Sequence, residues 1–164
     1  MAATATSTPF QELIEAHARS VAAFLRGMLP PEDVDDALQE TMLAALRAYP
    51  GFDGRNPRGW LLTIARRKAI DEHRARARRP EGLAEPDAVA AVPVDGDGRD
   101  PELWARVASL PPKQRAAVVL RFALDLRYRE VSAALDCSEA AARRSVHEAV
   151  RALRAAYPTE EATR

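Results

Sequence analysis

Residues 128–156 read YREVSAALDCSEAAARRSVHEAVRALRAA. Apolar side chains recur every three or four positions on both sides of the tripeptide Asp136-Cys137-Ser138, which predicts two amphipathic helices, 128–135 and 139–156. Serine is a favoured residue at a helix start, and aspartate tolerates the left-handed backbone conformation that a tight turn needs. The stretch therefore predicts a helix-turn-helix motif within an all-α fold.

The second of these helices has two unlike faces. Its apolar stripe consists of Ala142, Val146, Ala149, Val150 and Leu153, and its opposite face carries Ala140, Arg143, Arg144, His147 and Arg151. In helix-turn-helix proteins the second helix enters the DNA major groove, where arginine contacts guanine edges or phosphates. The alternative is a helical hairpin with a solvated basic face. The spacing of the motif favours DNA binding.

The other predicted helices begin at proline-containing start signals. Thr8-Pro9-Phe10-Gln11 has the spacing of a capping box, with proline at the first helical position. Further helices are predicted from about Glu32 to Ala48, after Asn56-Pro57, after Asp100-Pro101 and after Leu110-Pro111-Pro112.

Charge is strongly segregated along a chain whose formal net charge is zero. Residues 32–40 carry five acids and no base, whereas residues 64–79 carry seven bases against two acids. Residues 80–101 are acidic and contain four prolines and three glycines, a composition typical of a linker. The basic helix offers phosphates a favourable exchange through counterion release, although a solvated arginine-rich helix end is the alternative. We therefore predict two small helical domains, 8–79 and 101–157, joined by a flexible linker, 80–100.

Composition excludes several classes of function. The 164 residues include one cysteine, Cys137, and three scattered histidines, so we expect no disulfide, no metal site and no cofactor. No P-loop or GxSxG motif is present, and no nucleophile is paired with a histidine at a recognisable spacing, which argues against an enzyme. The N-terminus lacks the pattern of a signal peptide, and no apolar stretch is long enough for a bilayer. We expect a cytoplasmic protein with no membrane partner.

Two longer segments resemble a known family. Residues 33–76, DVDDALQETMLAALRAYPGFDGRNPRGWLLTIARRKAIDEHRAR, are similar to region two of the extracytoplasmic-function (group IV) sigma factors of the sigma-70 family. Residues 110–154, LPPKQRAAVVLRFALDLRYREVSAALDCSEAAARRSVHEAVRALR, are similar to region four. The order and spacing of the two segments, more than any single motif, carry the resemblance, which extends from about Phe10 to Ala156.

The resemblance implies a protein that binds core RNA polymerase, recognises the minus-35 and minus-ten promoter elements and promotes DNA opening. It implies that the acidic second helix docks on the β′ clamp helices, through Asp33, Asp36, Gln39 and Glu40. It implies minus-ten base capture by Phe52, Asp53, Gly54, Arg55 and Asn56, and binding of the melted strand by Arg66, Arg67, Lys68, Asp71 and Arg74. The C-terminal domain is expected on the β flap, with minus-35 recognition by Ser138, Arg143, Arg144 and His147. An anti-sigma factor is a further expected partner.

The chain departs from the family pattern in the motif itself. Arg127 stands where a small hydroxyl residue is usual, Asp136 stands where glycine is usual, and Ala141 lacks the hydroxyl of the usual threonine. Two other readings of the sequence remain. A sigma-like mimic would sequester an anti-sigma factor without binding promoter DNA, but it would not need both basic helices. A free-standing helix-turn-helix repressor would leave the acidic patch unexplained.

Overall fold

The computed structural model describes residues 9–78 and 100–156, and these contain α-helices, a short 3₁₀ turn, a π-helical segment and no strand. The predicted all-α class is confirmed. The helices are α1 (Phe10–Met28), α2 (Pro31–Ala48), α3 (Pro57–Ala77), α4 (Pro101–Ala108), α5 (Pro112–Val118), α6 (Tyr128–Leu135) and α7 (Glu139–Ala156). The 3₁₀ turn spans Tyr49–Gly51, and the π-helical segment, Val119–Ala123, continues α5.

The helix starts follow the local signals, with one difference. Asn56 and Asp100 each cap the following helix, accepting hydrogen bonds from the backbone N–H groups of Gly59 and Glu102. Helix α1, however, begins at Phe10, so Pro9 is the residue before the helix rather than its first residue. The predicted capping partner Thr8 lies outside the described residues.

Helices α1, α2 and α3 form the N-terminal lobe, residues 9–78. The largest side chains in its interior come from α1 and α3, and all are almost fully buried: Phe24, Leu25, Met28, Leu61 and Leu62. One polar residue, Thr41, is fully buried in α2, where its hydroxyl donates to the carbonyl of Ala37 at 2.7 Å. The buried apolar residues of α2 itself are Val34, Ala37 and Ala45, and their burial leaves Asp35, Asp36 and Glu40 exposed on the outer face.

Helices α4 to α7 form the C-terminal lobe, residues 100–156. Its interior includes Val131 of α6 and, from the predicted stripe of α7, the fully buried Ala142 and Ala149 and the nearly buried Val146. Val150 and Leu153 of that stripe are partly buried and pack against the core. The turn between α6 and α7 begins with Asp136 at φ 51°, in the left-handed region that the sequence predicted.

The two lobes pack against each other. Helices α1 and α3 of the N-terminal lobe contact α5, the π-helical segment and α6 of the C-terminal lobe, and buried side chains of both lobes form one continuous apolar cluster. The predicted linker, apart from Asp100, lies outside the described residues, and the predicted domain boundaries remain predictions.

Candidate nucleic-acid and polymerase interfaces

The start of α7 has the geometry expected of a DNA-reading helix. The hydroxyl of Ser138 accepts a hydrogen bond from the backbone N–H of Ala141 at 3.1 Å, as a helix N-cap does. Arg143, Arg144 and His147 are all exposed, on the face opposite the buried stripe. The four residues predicted to recognise DNA from this helix therefore lie together at the surface.

Arg143 is held in place by two neighbours, Tyr128 and Glu139, that are not among the predicted site residues. Its guanidinium lies 5.0 Å from the centre of the Tyr128 ring and forms an ion pair with Glu139 one turn earlier. The guanidinium of Arg121 lies 5.4 Å from the same ring. Cation–π contacts of this kind favour an ordered guanidinium. Tyr128 and Arg143 are separated by the whole turn, so the sequence period of neither helix reveals the contact.

The start of α6 compensates for the missing hydroxyl at Arg127. The carboxylate of Glu130 accepts a hydrogen bond from the backbone N–H of Arg127 at 2.8 Å. This is the half of a capping box that the third helical residue supplies, so α6 is capped without a serine or threonine.

The loop between α2 and α3 is built by its own side chains. Asp53 accepts a hydrogen bond from the backbone N–H of Arg55 at 2.8 Å, and Asn56 accepts one from Gly59 at 3.1 Å. Gly54 and Asn56 both have positive φ, 80° and 44°. Asp53 and Asn56 therefore shape the loop, and the exposed Arg55 stands at its surface.

Phe52 lies at the base of that loop in a row of aromatic rings. It stacks on Trp60 at 4.4 Å between ring centroids, and Tyr49 connects it to Phe10. The ring of Phe52 is partly buried and supports the loop from below. Of the residues predicted to capture a DNA base, Phe52 packs beneath the loop, whereas Asp53, Gly54, Arg55 and Asn56 are exposed.

The basic residues of α3 lie on more than one face. Arg67, Asp71 and Arg74 are exposed, whereas Arg66 and Lys68 are partly buried. Burial lowers the pKa of the Arg66 guanidinium, the neighbouring Arg67 lowers it further, and the carboxylate of Asp136 acts in the opposite direction. The structure therefore places Arg66, a candidate for binding single-stranded DNA, beside the turn of the helix-turn-helix.

The predicted polymerase-binding residues of α2 also differ in exposure. Asp36, Gln39 and Glu40 are exposed, but Asp33 accepts a hydrogen bond from Nε of Arg76 at 2.7 Å. Burial alone would lower the pKa of Arg76, but its hydrogen bonds and ion pairs with Asp33 and Glu32 raise it. Asp33 thus joins α2 to the end of α3, whereas the other three predicted residues are available to a partner.

Two leucines extend this acidic face into an apolar patch. Leu43 and Leu46 are 51% and 52% exposed, one and two turns after Gln39 on the same helix. Large exposed apolar side chains beside a polar rim are typical of protein–protein contacts. Neither leucine is among the predicted site residues, although their spacing of four and seven residues from Gln39 places them on the same side of the helix as Gln39.

The C-terminal lobe has an apolar groove whose lining includes none of the predicted DNA-binding residues. It has a volume of about 360 Å³ and lies between α4, α5, the π-helical segment and the end of α7. Phe122 is 60% exposed at this groove. The other lining residues are Leu103, Trp104, Val107, Val118, Ala123 and Leu153.

Comparison with protein families matches both lobes. The sigma-70 region 2 family matches residues 13–79, and the sigma-70 region 4 family matches residues 101–153. The chain is 34% identical over 134 residues to the ECF RNA polymerase sigma factor ShbA of Streptomyces griseus, covering 74% of this chain and 70% of that protein.

The chain belongs to the extracytoplasmic-function sigma factors of the sigma-70 family. It is also 32% identical to the ECF sigma factor SigC of Mycobacterium tuberculosis, covering 83% of this chain and 76% of that one. The ECF sigma-E factor of Escherichia coli is 30% identical, with 78% and 75% covered.

Solved structures share the fold of this chain. CnrH, solved in complex with the cytosolic domain of CnrY, superimposes with a TM-score of 0.65 at 26% identity, covering 90% of this chain and 86% of that one. RpoE of Bartonella quintana, solved with the anti-sigma factor NepR, shares the fold with a TM-score of 0.71 at 22% identity, covering 89% and 94%.

Two further properties concern the described residues alone. Within 9–78 and 100–156, no group of three or more histidine, cysteine or acidic side chains is arranged to hold a metal ion. Over those same residues, none of the helices combines the length and the apolarity required to span a bilayer.

Proposed function

We propose that this sigma factor acts without catalysing a reaction, by joining core RNA polymerase to promoter DNA through several separate surfaces. The first is the exposed part of α2, where Asp36, Gln39 and Glu40 stand beside Leu43. An acidic rim around an exposed apolar residue suits a basic, partly apolar partner, and we assign it to the β′ clamp helices.

The second surface is the start of α7, which we assign to the minus-35 element. Exposed arginines at the beginning of the second helix of the motif can fork onto guanine edges, and the capped helix start directs backbone N–H groups toward a phosphate. Arg143 and Arg144 are the principal contacts, with Ser138 and His147 beside them. A separate surface of the same lobe, the apolar groove around Phe122, we assign to the β flap.

The third surface combines the loop before α3 with the basic residues of α3 itself. Strand opening requires contacts that exist only with unpaired bases, because unstacking costs a few kcal/mol at each step. The exposed loop residues Gly54 and Arg55 supply the rim of a base-binding site, and the exposed Arg67 and Arg74 retain the backbone. No chemical step on the DNA is required.

The relatives support the choice of partners and location. RpoE of Bartonella quintana is solved with an anti-sigma factor, so we expect such a partner for this chain. Because RNA polymerase is its target, we place the protein in the cytoplasm. A mimic that never touches DNA does not account for exposed arginines on both α3 and α7.

The decisive experiment is run-off transcription from a genomic DNA library with core polymerase, with and without the purified chain. We expect a defined set of transcripts that depends on the chain. The result that contradicts the proposal is the same set of transcripts in both reactions.

Paired substitutions then separate the surfaces. Arg143→Ala with Arg144→Ala should weaken promoter binding by about 1–3 kcal/mol for each lost base contact and reduce the salt dependence, without loss of polymerase binding. Arg154→Ala, exposed in the last turn of α7, is the matched control. Unchanged promoter affinity would remove the minus-35 assignment.

The polymerase surface is tested by Asp36→Ala with Gln39→Ala. Core polymerase should no longer co-purify with this variant, whereas Glu12→Ala, an exposed acid on α1, should leave the association intact. Co-purification of the double variant at the level of the unsubstituted chain would show that α2 is not the docking face.

A further inference from the structure

Tyr128 connects two other elements of the C-terminal lobe. It is the first residue of α6, and its partly buried ring packs against the apolar cluster. The guanidinium of Arg121, in the π-helical segment, lies 5.4 Å from the centre of the ring, and that of Arg143, in α7, lies 5.0 Å from it. One aromatic ring is therefore the common neighbour of two cations from different elements.

Arg121 is held by partners of its own near the π-helical segment. It forms an ion pair with Asp125 at 3.6 Å and donates a hydrogen bond to the carbonyl oxygen of Leu126 at 3.4 Å. Arg121 therefore belongs to the scaffold around the Tyr128 ring. Arg143, in contrast, belongs to the exposed face of α7 that the sequence assigns to DNA.

Glu139 contacts the guanidinium of Arg143 from one helical turn away. It is the first residue of α7, and its carboxylate forms an ion pair with Nη2 of Arg143. An acid four residues before a base is the favourable order for such a pair, and an acid in the first turn also suits the helix dipole. The side chains of Glu139 and Arg143 are 47% and 57% exposed, so DNA can reach the pair.

The two contacts together restrict Arg143 more than either would alone. An exposed ion pair is weak because water and salt screen it, and a cation–π contact at the surface is weak as well. Here the ring attracts the body of the guanidinium while the carboxylate holds one of its nitrogens. A planar group held at two points has few orientations left, and its remaining N–H groups can still donate to another acceptor.

Such restriction matters for base recognition. An arginine that reads a guanine presents a pair of N–H donors in one plane to O6 and N7 of the base. A long unbranched side chain loses much rotameric freedom when it is fixed in this way, and that loss opposes binding. The loss is smaller when the side chain is already held in the reading orientation before DNA arrives.

We propose that Tyr128 and Glu139 are positioning residues for minus-35 recognition, which hold Arg143 in the orientation that reads a guanine and so set the base preference at that position. This inference rests on the proposed assignment of α7 to the minus-35 element. Neither residue needs to contact DNA, because each acts through the guanidinium of Arg143.

Glu139 also discriminates between a guanine and a phosphate as the partner of Arg143. Its carboxylate lies against the guanidinium, so a phosphate that approaches Arg143 meets a like charge. A guanine edge carries no net charge, and the carboxylate does not oppose it. Glu139 therefore weakens non-specific contacts of Arg143 more than it weakens base recognition.

Binding of the polymerase holoenzyme to altered promoters tests the proposal. The promoter fragment comes from the run-off experiment, and each base pair of its minus-35 element is replaced in turn. The ratio of dissociation constants for the replaced and the original fragment measures discrimination at that position. Arg143→Ala identifies the position that Arg143 reads, as the one where this ratio falls by about fivefold or more.

Tyr128→Leu should lower the ratio at that position by about three- to tenfold and leave the other ratios within about twofold, because leucine has no π face. Tyr128→Phe retains the ring and loses only the hydroxyl, so it should preserve every ratio and is the matched control. A role of Tyr128 in folding alone predicts instead an equal loss of affinity for all fragments. That equal loss, or an unchanged ratio for Tyr128→Leu, would overturn the inference.

Glu139→Gln tests the same inference at an exposed site, where the fold is not at risk. Discrimination at the position that Arg143 reads should fall about twofold, and binding to a promoter-free fragment at low salt should rise about twofold or more. Glu102→Gln is the matched control, because Glu102 pairs with Arg106 in the same way at the start of α4. Equal behaviour of the two variants would overturn the inference.

A double variant separates this inference from the proposed function. In an Arg143→Ala background, Tyr128→Leu should change no ratio further, because a positioning residue has no effect without the residue that it positions. A further loss of the same size in that background would overturn the inference alone. If Arg143→Ala itself alters the ratio at no position, the minus-35 assignment of the proposed function fails, and the inference fails with it.

Discussion

Replacement of Arg115 by methionine measures the contact between the lobes as a free energy. Methionine retains an unbranched apolar stem but removes the donors to Gly27 at 2.7 Å and Ala108 at 3.3 Å. A hydrogen bond from a charged donor contributes about 1.5–3 kcal/mol, and the shorter of these two is made by a group only 6% exposed. Because Ala108 is only partly buried, water replaces the longer bond.

We therefore expect the free energy of unfolding to fall by about 2–3 kcal/mol, or the melting temperature by about 4–12 °C for a chain of this size. Urea unfolding followed by far-ultraviolet circular dichroism measures the change. Arg129→Met, an exposed arginine on α6, is the control and should change the free energy by less than about 0.5 kcal/mol.

The refuting result is a loss for Arg115→Met no larger than that of the control. It would mean that Arg115 faces water in solution and that α1 ends without it. Two separate unfolding transitions in the unsubstituted chain would likewise contradict the packed arrangement, because lobes that share one buried core should unfold together.

Three further predictions concern single residues. Asp136→Gly should raise the free energy of unfolding by about 0.5–1 kcal/mol in urea, because glycine adopts the φ of 51° without strain; a fall would show that the contact with Arg66 outweighs that strain. Thr41→Val should cost less than about 1 kcal/mol by the same assay, whereas Thr41→Ala should cost more, because the side chain is fully buried and alanine leaves a cavity. Burial and the nearby Arg58 lower the pKa of His17, so the folded state favours the neutral ring. The contribution of His17 to the free energy of unfolding is therefore fully present above pH about 6.5 and is lost as the pH falls below that value. The melting temperature between pH 7.5 and 5.5 should accordingly fall less for His17→Gln than for the unsubstituted chain, and equal falls would contradict this.

Local signals were sufficient to predict most of the helices. Pro57 and Pro101 fix the first residue of their helices, and the side chains of Asn56 and Asp100 cap them as the sequence indicates. The turn at Asp136 was predictable for the same reason, since the requirement for left-handed backbone arises within a few residues. Such features depend on neighbours in sequence, which the periodicity of side chains and the capping residues already report.

Contacts between distant residues were not predictable in this way. Asp33 has the same local pattern as Asp36, yet it pairs with Arg76, 43 residues away. Arg115 belongs to a stretch with no feature that marks it as buried, and its partner Gly27 precedes it by 88 residues. Charge patterns assign such residues to a surface by default, because the partner that offsets the cost of burial is supplied only by the tertiary fold.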